Sequence, residues 1–432
     1  MTGTEKQITF GNHGHILTNT AVWSPDARRI VYDVRSDPEG TKFDGTQIET
    51  VDVASSDIRA VYESRNGACC GVATYHPKLD RVIFILGPDN PTPDWSYGPS
   101  HRQGVMVDPE KPGLAIPLDA RDLVPPFTPG ALRGGSHVHV FSPDGALVSF
   151  TYDDQLLGQL NPNRDDHDAA RRNIGVSLVD HPVKVPQTHP RNHSGSAFSV
   201  LVTRTSTKPR AGSDEYSRAY EEGWVGTNGY LRRDGSRQKR ALAFLGDVST
   251  ADGKSAAEVF IADLPDDLTT AGDGPLAGSV TQLPYPPRGV STRRLTRTLD
   301  RKHPGVQGPR HWLRSSPDGS SIAMLMRDDA GVVQLFTIGP EGGEPHQITR
   351  NPHDISSAFT WSPDGRWIAH TMDRSVCVTD AQHGQTHRLT EKSAADNAPL
   401  PLACVFSPDG RAMAYLRHVQ GFNQVFVCQL KT

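Results

Sequence analysis

One short motif recurs along this chain: an aromatic residue followed by Ser-Pro-Asp and, in most copies, Gly. Its copies lie at residues 22–26, 140–145, 360–365 and 405–410, and a degenerate copy lies at 314–319. An apolar run typical of a β-strand follows each copy, so the repeated unit is a strand, a Pro-Asp-Gly turn and a second strand. A strand-built repeat of about 40–50 residues is typical of the blades of a β-propeller.

The length of the chain, 432 residues, suits one ring of about seven blades. The sequence therefore predicts an all-β fold, a seven-bladed β-propeller that forms one domain over residues 1–432. Long insertions are predicted at 88–136 and 153–225, where the strand pattern is interrupted. The inner hairpins of the blades are predicted near residues 18–35, 70–87, 137–152, 226–248, 311–328, 357–373 and 402–417.

The two ends of the chain are predicted to close the ring. Gln-Ile-Thr at 7–9 matches the tails that end other units, such as 347–349, although no blade precedes it. The last blade has the opposite problem, because its final apolar run at 424–428 has no strand after it. Pairing the N-terminal strand with the C-terminal blade removes both exposed edges, so we expect this pairing.

Charge and missing motifs exclude several classes of protein. The net charge of −4 predicts no basic surface for a nucleic acid, and no apolar run is long enough to predict a membrane span. The sequence also lacks a phosphate-binding loop, a dinucleotide fingerprint, a Gly-x-Ser-x-Gly elbow and a two-histidine zinc-protease motif. Nucleotide-dependent enzymes and serine hydrolases are therefore not expected.

The N-terminus and the cysteines bear on the compartment. Residues 1–10 lack the apolar core of a secretory signal, so the sequence as written predicts a cytoplasmic protein, or a periplasmic one if a leader has been removed. The five cysteines are an odd number without the spacing of a disulfide framework, which suits a reducing compartment. We expect the chain to be a monomer.

Topology places the insertions and the repeated turns on opposite faces of the ring. In a four-stranded blade the innermost strand starts at one rim, and its first turn lies at the other rim. We call the rim where the innermost strands start the front rim, and the rim of the Pro-Asp-Gly turns the back rim. The insertions crowd the front rim, so we place the candidate site there, at the mouth of the central channel.

Histidines converge on this mouth in the predicted ring. His137 and His311 lie five residues before the serine of their repeats, where the innermost strand begins, and His139 lies on the same pleat face as His137. His101 approaches from the insertion of blade two. Neutral imidazoles bind Zn²⁺ or Mn²⁺ and also accept protons near neutral pH. The sequence thus predicts a histidine site, with His137, His139 and His311 as candidate metal ligands.

The insertions bring further side chains of suitable chemistry towards the mouth. A guanidinium group can hold a carboxylate with two parallel hydrogen bonds, and an aromatic ring can stack on a sugar. The residues expected to bind a substrate in this way are Arg133, Tyr220, Glu222 and Trp224, and Tyr216 and Arg232 are expected close by.

These motifs carry a resemblance to known families. The aromatic-Ser-Pro-Asp-Gly turn with its Leu-Thr or Ile-Thr tail resembles the TolB-type propeller over nearly the whole chain. The stretches 125–142, 212–215 and 219–224 resemble the YidR-type bacterial propellers. Those in turn are similar to oligogalacturonate lyases and ulvan lyases, propellers that cleave uronate-containing glycans by β-elimination.

The resemblance implies roles for particular residues. Ulvan lyases use two histidines, a tyrosine and an arginine, a set that His101, His137 or His139, Tyr216 and Arg232 could fill. Oligogalacturonate lyases hold a divalent metal with histidines and a glutamine, but no glutamine stands beside His137 and His139 in this chain.

The expected function is therefore that of a lyase that cleaves an acidic oligosaccharide or polysaccharide containing uronate. The reaction would take place at the channel mouth, with a divalent metal such as Mn²⁺, Zn²⁺ or Ca²⁺ as the cofactor. The alternative is a non-catalytic TolB-like scaffold that binds a protein or a glycan at the same mouth.

Overall fold

The computed structural model describes residues 2–37, 40–160, 172–309 and 312–431. It contains seven four-stranded antiparallel sheets, which are the blades of a seven-bladed β-propeller, and two short two-stranded pairs. In six blades the four strands follow one another from the innermost to the outermost, with one small insertion in the fourth blade. The seventh blade takes its outermost strand from the N-terminus.

The strands of the first half of the chain are as follows. Strand β1 is Thr2–Gln7, and blade one consists of β2 (Gly14–Ile16), β3 (Arg29–Arg35), β4 (Gln47–Asp52) and β5 (Ile58–Glu63). Blade two consists of β6 (Cys70–Tyr75), β7 (Val82–Leu86), β8 (Gln103–Val107) and β9 (Ile116–Pro117), and it is followed by the parallel pair β10 (Ala120–Arg121) and β11 (Ala131–Leu132). Blade three consists of β12 (Gly134–Phe141), β13 (Leu147–Asp154), β14 (Asn173–Leu178) and β15 (Phe198–Leu201), with the short helix α1 (Gln155–Leu160) after β13.

The remaining blades complete the ring. Blade four contains β16 (Ala219–Trp224), the inserted pair β17 (Tyr230–Leu231) and β18 (Arg237–Gln238), then β19 (Ala241–Ser249), β20 (Ser255–Asp263) and β21 (Ser291–Arg294). Blade five contains β22 (Arg314–Ser315), β23 (Ile322–Arg327), β24 (Val333–Ile338) and β25 (His346–Gln347), and blade six contains β26 (Thr360–Trp361), β27 (Trp367–Met372), β28 (Ser375–Asp380) and β29 (Thr386–Arg388). Blade seven contains β30 (Pro399–Phe406), β31 (Ala412–Val419) and β32 (Phe422–Lys431). Two single-turn 3-10 helices lie at Pro99–His101 and Ala395–Asn397.

The second strand of each blade is largely buried on both faces because neighbouring blades cover it on both sides. All five residues of β7 and all eight residues of β13 are buried, whereas half or more of β5 is exposed. Continuous apolar runs of this kind are typical of strands buried on two faces. The core therefore lies between adjacent blades rather than at one centre.

The polar residues of the repeated motif build its turn. In the last copy the Ser407 hydroxyl donates to Asp409 Oδ1 at 2.6 Å and accepts the backbone N–H of Ala412 at 3.0 Å. Asp409 Oδ1 also accepts the backbone N–H of Arg411 at 3.1 Å. Gly410 has a φ of 70°, which a residue with a Cβ adopts rarely. The motif is thus explained by hydrogen bonds within its own turn.

In three blades a tryptophan at the aromatic position of the motif forms a hydrogen bond to the previous blade. The indole N–H of Trp23 donates to Val405 O at 3.0 Å, and that of Trp361 donates to Arg314 O at 3.0 Å. Trp224 donates in the same way to Val140 O at 3.1 Å. Trp224 is therefore the aromatic residue of blade four, although a Pro-Asp-Gly turn does not follow it.

The predicted closure of the ring is confirmed. Strand β1 pairs antiparallel with β32, from Thr2 opposite Lys431 to Gln7 opposite Phe426. Beyond the strand, Thr9 Oγ1 donates to Gln424 Oε1 at 2.8 Å. The pairing covers the edge of β32 and gives blade seven four strands like the other blades.

Two details of the predicted organisation differ. The innermost strand of blade four is Ala219–Trp224, so the hairpin predicted near 226–248 was placed too late. The cause is the inserted pair β17–β18, whose Asp234-Gly235 turn resembles that of the repeated motif. The two ranges predicted as insertions also contain the outer strands of blades two and three.

No helix in the described ranges has the length and apolarity needed to cross a lipid bilayer.

Removal of residues 1–10 should destabilise the whole propeller, because blade seven would lose its outermost strand. Within that strand, Glu5 Oε2 lies 2.7 Å from Nη2 of Arg417, whose side chain is almost fully buried. Replacing Glu5 with Gln should lower the free energy of unfolding by about 1–3 kcal/mol, since a buried guanidinium loses its charged partner.

Thermal unfolding of the deletion variant and of Glu5→Gln measures these losses of stability. Thr4→Ala is the control, because Thr4 is exposed on the same strand. An unchanged Tm after the deletion would contradict the structural role of β1.

Candidate functional site

A compact group of polar residues lies at the front rim of blades two and three. His101 and Arg102 stand at the end of the 3-10 helix Pro99–His101, which precedes β8. The other members come from blade three, where each stands in or next to the front end of a strand. We call this group the mouth cluster; its members are His101, Arg102, His137, Asp153, Gln155 and Arg172.

His101 is held at both ring nitrogens. Its Nδ1 lies 2.7 Å from Ser96 O, and since a carbonyl only accepts, Nδ1 carries a proton and donates. Its Nε2 lies 3.0 Å from Gln155 Oε1, and the ring stacks on Trp95 with 3.8 Å between centroids. Burial lowers the pKa of His101 below its ordinary value. The orientation of this imidazole is therefore set by three contacts.

Close backbone packing holds the 99–102 segment against β12. A Cβ at Gly135 would lie 2.1 Å from Pro99 O, so only glycine allows this approach. The buried Arg121 joins the same parts, because Nε donates to Gly134 O at 3.2 Å and Nη2 donates to His101 O at 3.2 Å. Gly135 and Arg121 thus fix His101 beside the strand that carries His137.

His137 is the member with an unused nitrogen. Its Nδ1 has no hydrogen-bond partner among the described residues and lies 3.9 Å from Asp153 Oδ2, beyond hydrogen-bond distance. Burial, followed by the positive charges of Arg102 and Arg172, lowers the pKa of His137 well below its usual range. The ring is therefore neutral at neutral pH. A neutral imidazole with one free nitrogen is suited to accept a proton.

The acidic and basic members of the cluster form an ion pair next to this imidazole. Arg172 Nε lies 3.2 Å from Asp153 Oδ2. The side chains of His137 and Arg172 are 13% and 17% exposed, whereas the Nδ1 atom of His137 and the Asp153 side chain are buried. Asp153 partly neutralises one of the two guanidinium groups and holds it near His137.

His139 does not share the surroundings of His137. Val138 has a φ of 56° and lies in a β-bulge of β12, which breaks the alternation on which the prediction depended. The His139 side chain is fully buried; its Nε2 lies 3.0 Å from Ser136 Oγ, and a Cβ on Gly104 would lie 2.6 Å from the same atom. It thus lies between blades two and three, where burial lowers its pKa to about 3.

The structure describes two of the three predicted metal ligands, His137 and His139. His311 lies outside the described residues. Among the described side chains, no group of three histidine, cysteine or carboxylate ligand atoms includes His137 or His139. The structure therefore brings His101 and His137 to one rim, but it does not assemble a metal site around them from the residues it describes.

Three other predicted residues have structural partners elsewhere. Arg133 is buried, and its Nε donates to Asp154 Oδ2 at 2.8 Å. Tyr216 is buried in the core between blades three and four, edge-on to two phenylalanine rings. Arg232 lies on the back-rim insertion of blade four, where Nη2 lies 3.2 Å from Asp263 Oδ2. Tyr216 and Arg232 are therefore not brought to His101 and His137, and Arg133 is already engaged in an internal ion pair.

The last three predicted residues lie on one innermost strand, β16, and not in an insertion. Tyr220 donates from its hydroxyl to Asp247 Oδ1 at 2.7 Å, and Trp224 serves the inter-blade hydrogen bond described above. Glu222 accepts a hydrogen bond from Thr151 Oγ1 at 3.0 Å, and burial raises its pKa to about 7. These side chains belong to the wall of the channel and the packing of blade four.

Sequence reasoning missed four members of the mouth cluster: Arg102, Asp153, Gln155 and Arg172. Gln155 supplies a glutamine next to a histidine, but it meets His101 from blade three rather than standing beside His137 in the sequence. The only sequence feature that could have indicated Gln155 is its position just after the run of residues that forms β13. Arg102 could have been found as the neighbour of His101, whereas nothing in the sequence pairs Arg172 with Asp153.

Comparisons with known proteins show what this chain is similar to. Residues 69–193, which include all six residues of the mouth cluster, match the family described as "Protein of unknown function (DUF3748)". Among solved structures, an oligogalacturonate lyase in complex with manganese aligns with a TM-score of 0.56 at 12% identity, over 100% of this chain and 97% of that one. An oligogalacturonate lyase from Vibrio parahaemolyticus aligns with a TM-score of 0.55 at 8% identity, over 100% and 98%.

A puromycin hydrolase shares the propeller as well, with a TM-score of 0.51 at 12% identity, over 94% of this chain and 50% of that one. At these identities the likenesses show the fold alone. A sequence relative is much more similar: the uncharacterised protein YidR of Escherichia coli K12 is 48% identical over 95% of this chain and 94% of its own length. This chain therefore belongs to the YidR family of β-propellers.

Proposed function

We propose that this protein is a lyase that cleaves uronate-containing oligosaccharides or polysaccharides by β-elimination at the mouth cluster. The observation that carries the proposal is His137: a neutral imidazole, 13% exposed, whose Nδ1 is buried without a hydrogen-bond partner and which is flanked by the guanidinium groups of Arg102 and Arg172. A base beside two positive charges is what the removal of a proton next to a carboxylate requires.

The guanidinium groups of Arg102 and Arg172 would stabilise the negative charge that develops on the substrate in this reaction. The proton on the carbon next to the uronate carboxylate becomes acidic only when the negative charge that develops on the carboxylate is stabilised. Arg172 and Arg102 supply two permanent positive charges for this purpose, and a guanidinium can hold a carboxylate through two hydrogen bonds. The pair between Arg172 and Asp153 keeps one guanidinium oriented before the substrate arrives.

His137 Nδ1 takes the proton from the carbon next to the carboxylate, and the electron pair of that bond forms a carbon–carbon double bond. The neighbouring carbon–oxygen bond to the next sugar breaks, and its oxygen takes that proton back from His137. His101 is held by Gln155 at the same mouth and transfers no proton in this step. Tyr216 and Arg232 have no part in this proposal because they lie in the core and on the back rim.

The fold comparisons support the proposal in one respect. The two oligogalacturonate lyases match this chain over nearly the full length of both proteins, so the propeller alone accounts for those enzymes. The puromycin hydrolase has a second half that this chain does not match. Because one of the lyases is in complex with manganese, a divalent metal is part of the proposed assay.

Replacing His137 with Ala should lower the rate of elimination on the order of 10²-fold or more, because the reaction loses its base. The measurement is the ultraviolet absorbance of the unsaturated product formed from a panel of uronic-acid oligomers, with and without Mn²⁺, Zn²⁺ or Ca²⁺. His383→Ala is the matched control, since His383 is an exposed histidine of blade six paired with Asp380. It should retain the wild-type rate.

If the wild-type protein cleaves none of the oligomers under any of these conditions, the lyase proposal is wrong. Binding without cleavage, measured by calorimetry and lost in His137→Ala, would then favour a glycan-binding scaffold.

The rate should also depend on pH in a way that reports on His137. A base acts only when unprotonated, so kcat/KM rises with pH through its pKa; because that pKa is lowered, the plateau should begin below the ordinary histidine value of 6.5. Arg172→Ala removes a positive charge and leaves the Asp153 carboxylate unpaired near His137. Both changes favour the protonated His137 ring, so the acid limb of the pH profile of kcat/KM should move to higher pH.

Arg172→Lys keeps the charge and should keep the limb close to its wild-type position. An acid limb that is the same in wild type and in Arg172→Ala would show that His137 is not the titrating base.

A further inference from the structure

A second histidine cluster lies at the front end of blade one, away from the mouth cluster. His13 directly precedes β2, His15 lies within β2, and Glu49 lies in β4. One ligand atom from each, an imidazole nitrogen from the histidines and a carboxylate oxygen from the glutamate, can be chosen so that all three lie within 4.8 Å of one another. Of the described residues, these are the side chains that form such a group.

The two imidazoles present unused nitrogens. Nε2 of His13 and Nε2 of His15 are both buried atoms without a hydrogen-bond partner in the described structure, and the His15 side chain is fully buried. The rings lie 4.4 Å apart between centroids. His13 Nε2 lies 4.0 Å from Glu49 Oε2, which is too long for a hydrogen bond. Buried polar atoms are rarely left unpaired, so this arrangement needs a partner.

Contacts outside the cluster prepare its ligand atoms. His15 Nδ1 lies 2.7 Å from the carbonyl oxygen of Asn423, so Nδ1 carries the proton and Nε2 keeps its lone pair. The Tyr32 hydroxyl donates to Glu49 Oε2 at 2.6 Å and orients the carboxylate. Hydrogen bonds of this kind behind the ligands are typical of metal sites. A Cβ at Gly11 would lie 2.6 Å from the His13 ring, so the glycine leaves room for that imidazole.

We propose that His13, His15 and Glu49 bind one divalent transition-metal ion, with Zn²⁺ as the probe, at the front end of blade one. Two imidazoles and one carboxylate are a frequent ligand set for zinc with a fourth position open. Ligand atoms about 2.0–2.2 Å from one zinc ion lie at most about 4.4 Å apart. The His13 side chain is 34% exposed and can rotate to close the set and leave the open position towards solvent.

The position of the cluster gives the metal a structural consequence. The backbone oxygen that orients His15 belongs to β32, the strand of blade seven that pairs with β1. A bound ion would therefore hold β2 and β4 of blade one beside the strand that closes the ring. A ligand that binds only the folded protein raises its stability in proportion to the logarithm of its concentration, so Zn²⁺ should stabilise the closed propeller.

The test is a titration of the full-length protein with Zn²⁺ after removal of metals by a chelator. Calorimetry should show one ion per chain, Co²⁺ in place of Zn²⁺ should give visible absorption bands of a low-coordinate site, and Zn²⁺ should raise the Tm. Glu49→Gln keeps the shape of the side chain and should weaken Zn²⁺ binding at least about 10-fold and abolish the rise in Tm. His13→Ala should do the same without removing a hydrogen bond of the described structure.

His383→Ala, which alters an exposed histidine–carboxylate pair elsewhere, and His137→Ala, which alters the mouth cluster, should bind Zn²⁺ as the wild type does. Binding that is unchanged in Glu49→Gln and His13→Ala, or lost in His137→Ala, would overturn the proposal. So would the absence of binding to the wild type. None of these outcomes depends on whether the protein cleaves a glycan, so this site and the proposed activity are tested separately.

Discussion

The pairing of β1 with β32 is the interaction on which the rest of this propeller depends. Strands such as β7 and β13 are buried on both faces, and a blade can bury both faces only if it has a neighbour on each side. An open row of blades would expose the apolar faces of its two end blades, together with two unpaired sheet edges. The N-terminal strand prevents this, because it completes blade seven beside blade one. Indole N–H hydrogen bonds add a further connection at three of the junctions between blades.

The mouth cluster depends on this closed ring and on one close backbone approach. Blade two can present His101 beside blade three only because Gly135 has no side chain and because Arg121 donates to both segments. Two guanidinium groups then lie near a buried imidazole, and this keeps His137 neutral. Arg102 and Arg172 lie together at this rim although the chain as a whole carries a net charge of −4. The proposed binding of an acidic substrate depends on this local placement and not on the overall charge.

Three histidines illustrate how partners decide the chemistry of one residue type. His101 and His15 both donate from Nδ1 to a backbone carbonyl, but Nε2 of His101 meets Gln155 while Nε2 of His15 has no partner in the described structure. The first ring is thereby held by partners at both nitrogens, whereas the second keeps one nitrogen for the proposed metal ion. His139 is enclosed between two blades next to Ser136 and Gly104, where a protonated ring is strongly disfavoured.

The amino-acid sequence by itself determined the fold class, the number of blades and the way the ring closes. These features depend on local patterns: a turn that makes its own hydrogen bonds, apolar runs on either side of it, and a tail repeated at the N-terminus. The sequence also indicated His101 and His137 as residues of one rim, because their positions follow from the repeat.

Only the tertiary structure decided which residues share a site. The bulge at Val138 separates His139 from His137, and Gln155 reaches His101 from another blade. Likewise, His13 and His15 meet Glu49 through strand pairing and face a carbonyl group from the far end of the chain. Backbone bulges and contacts between distant strands leave no periodic trace in a sequence, because they depend on the register of strands and on the fit of neighbouring blades.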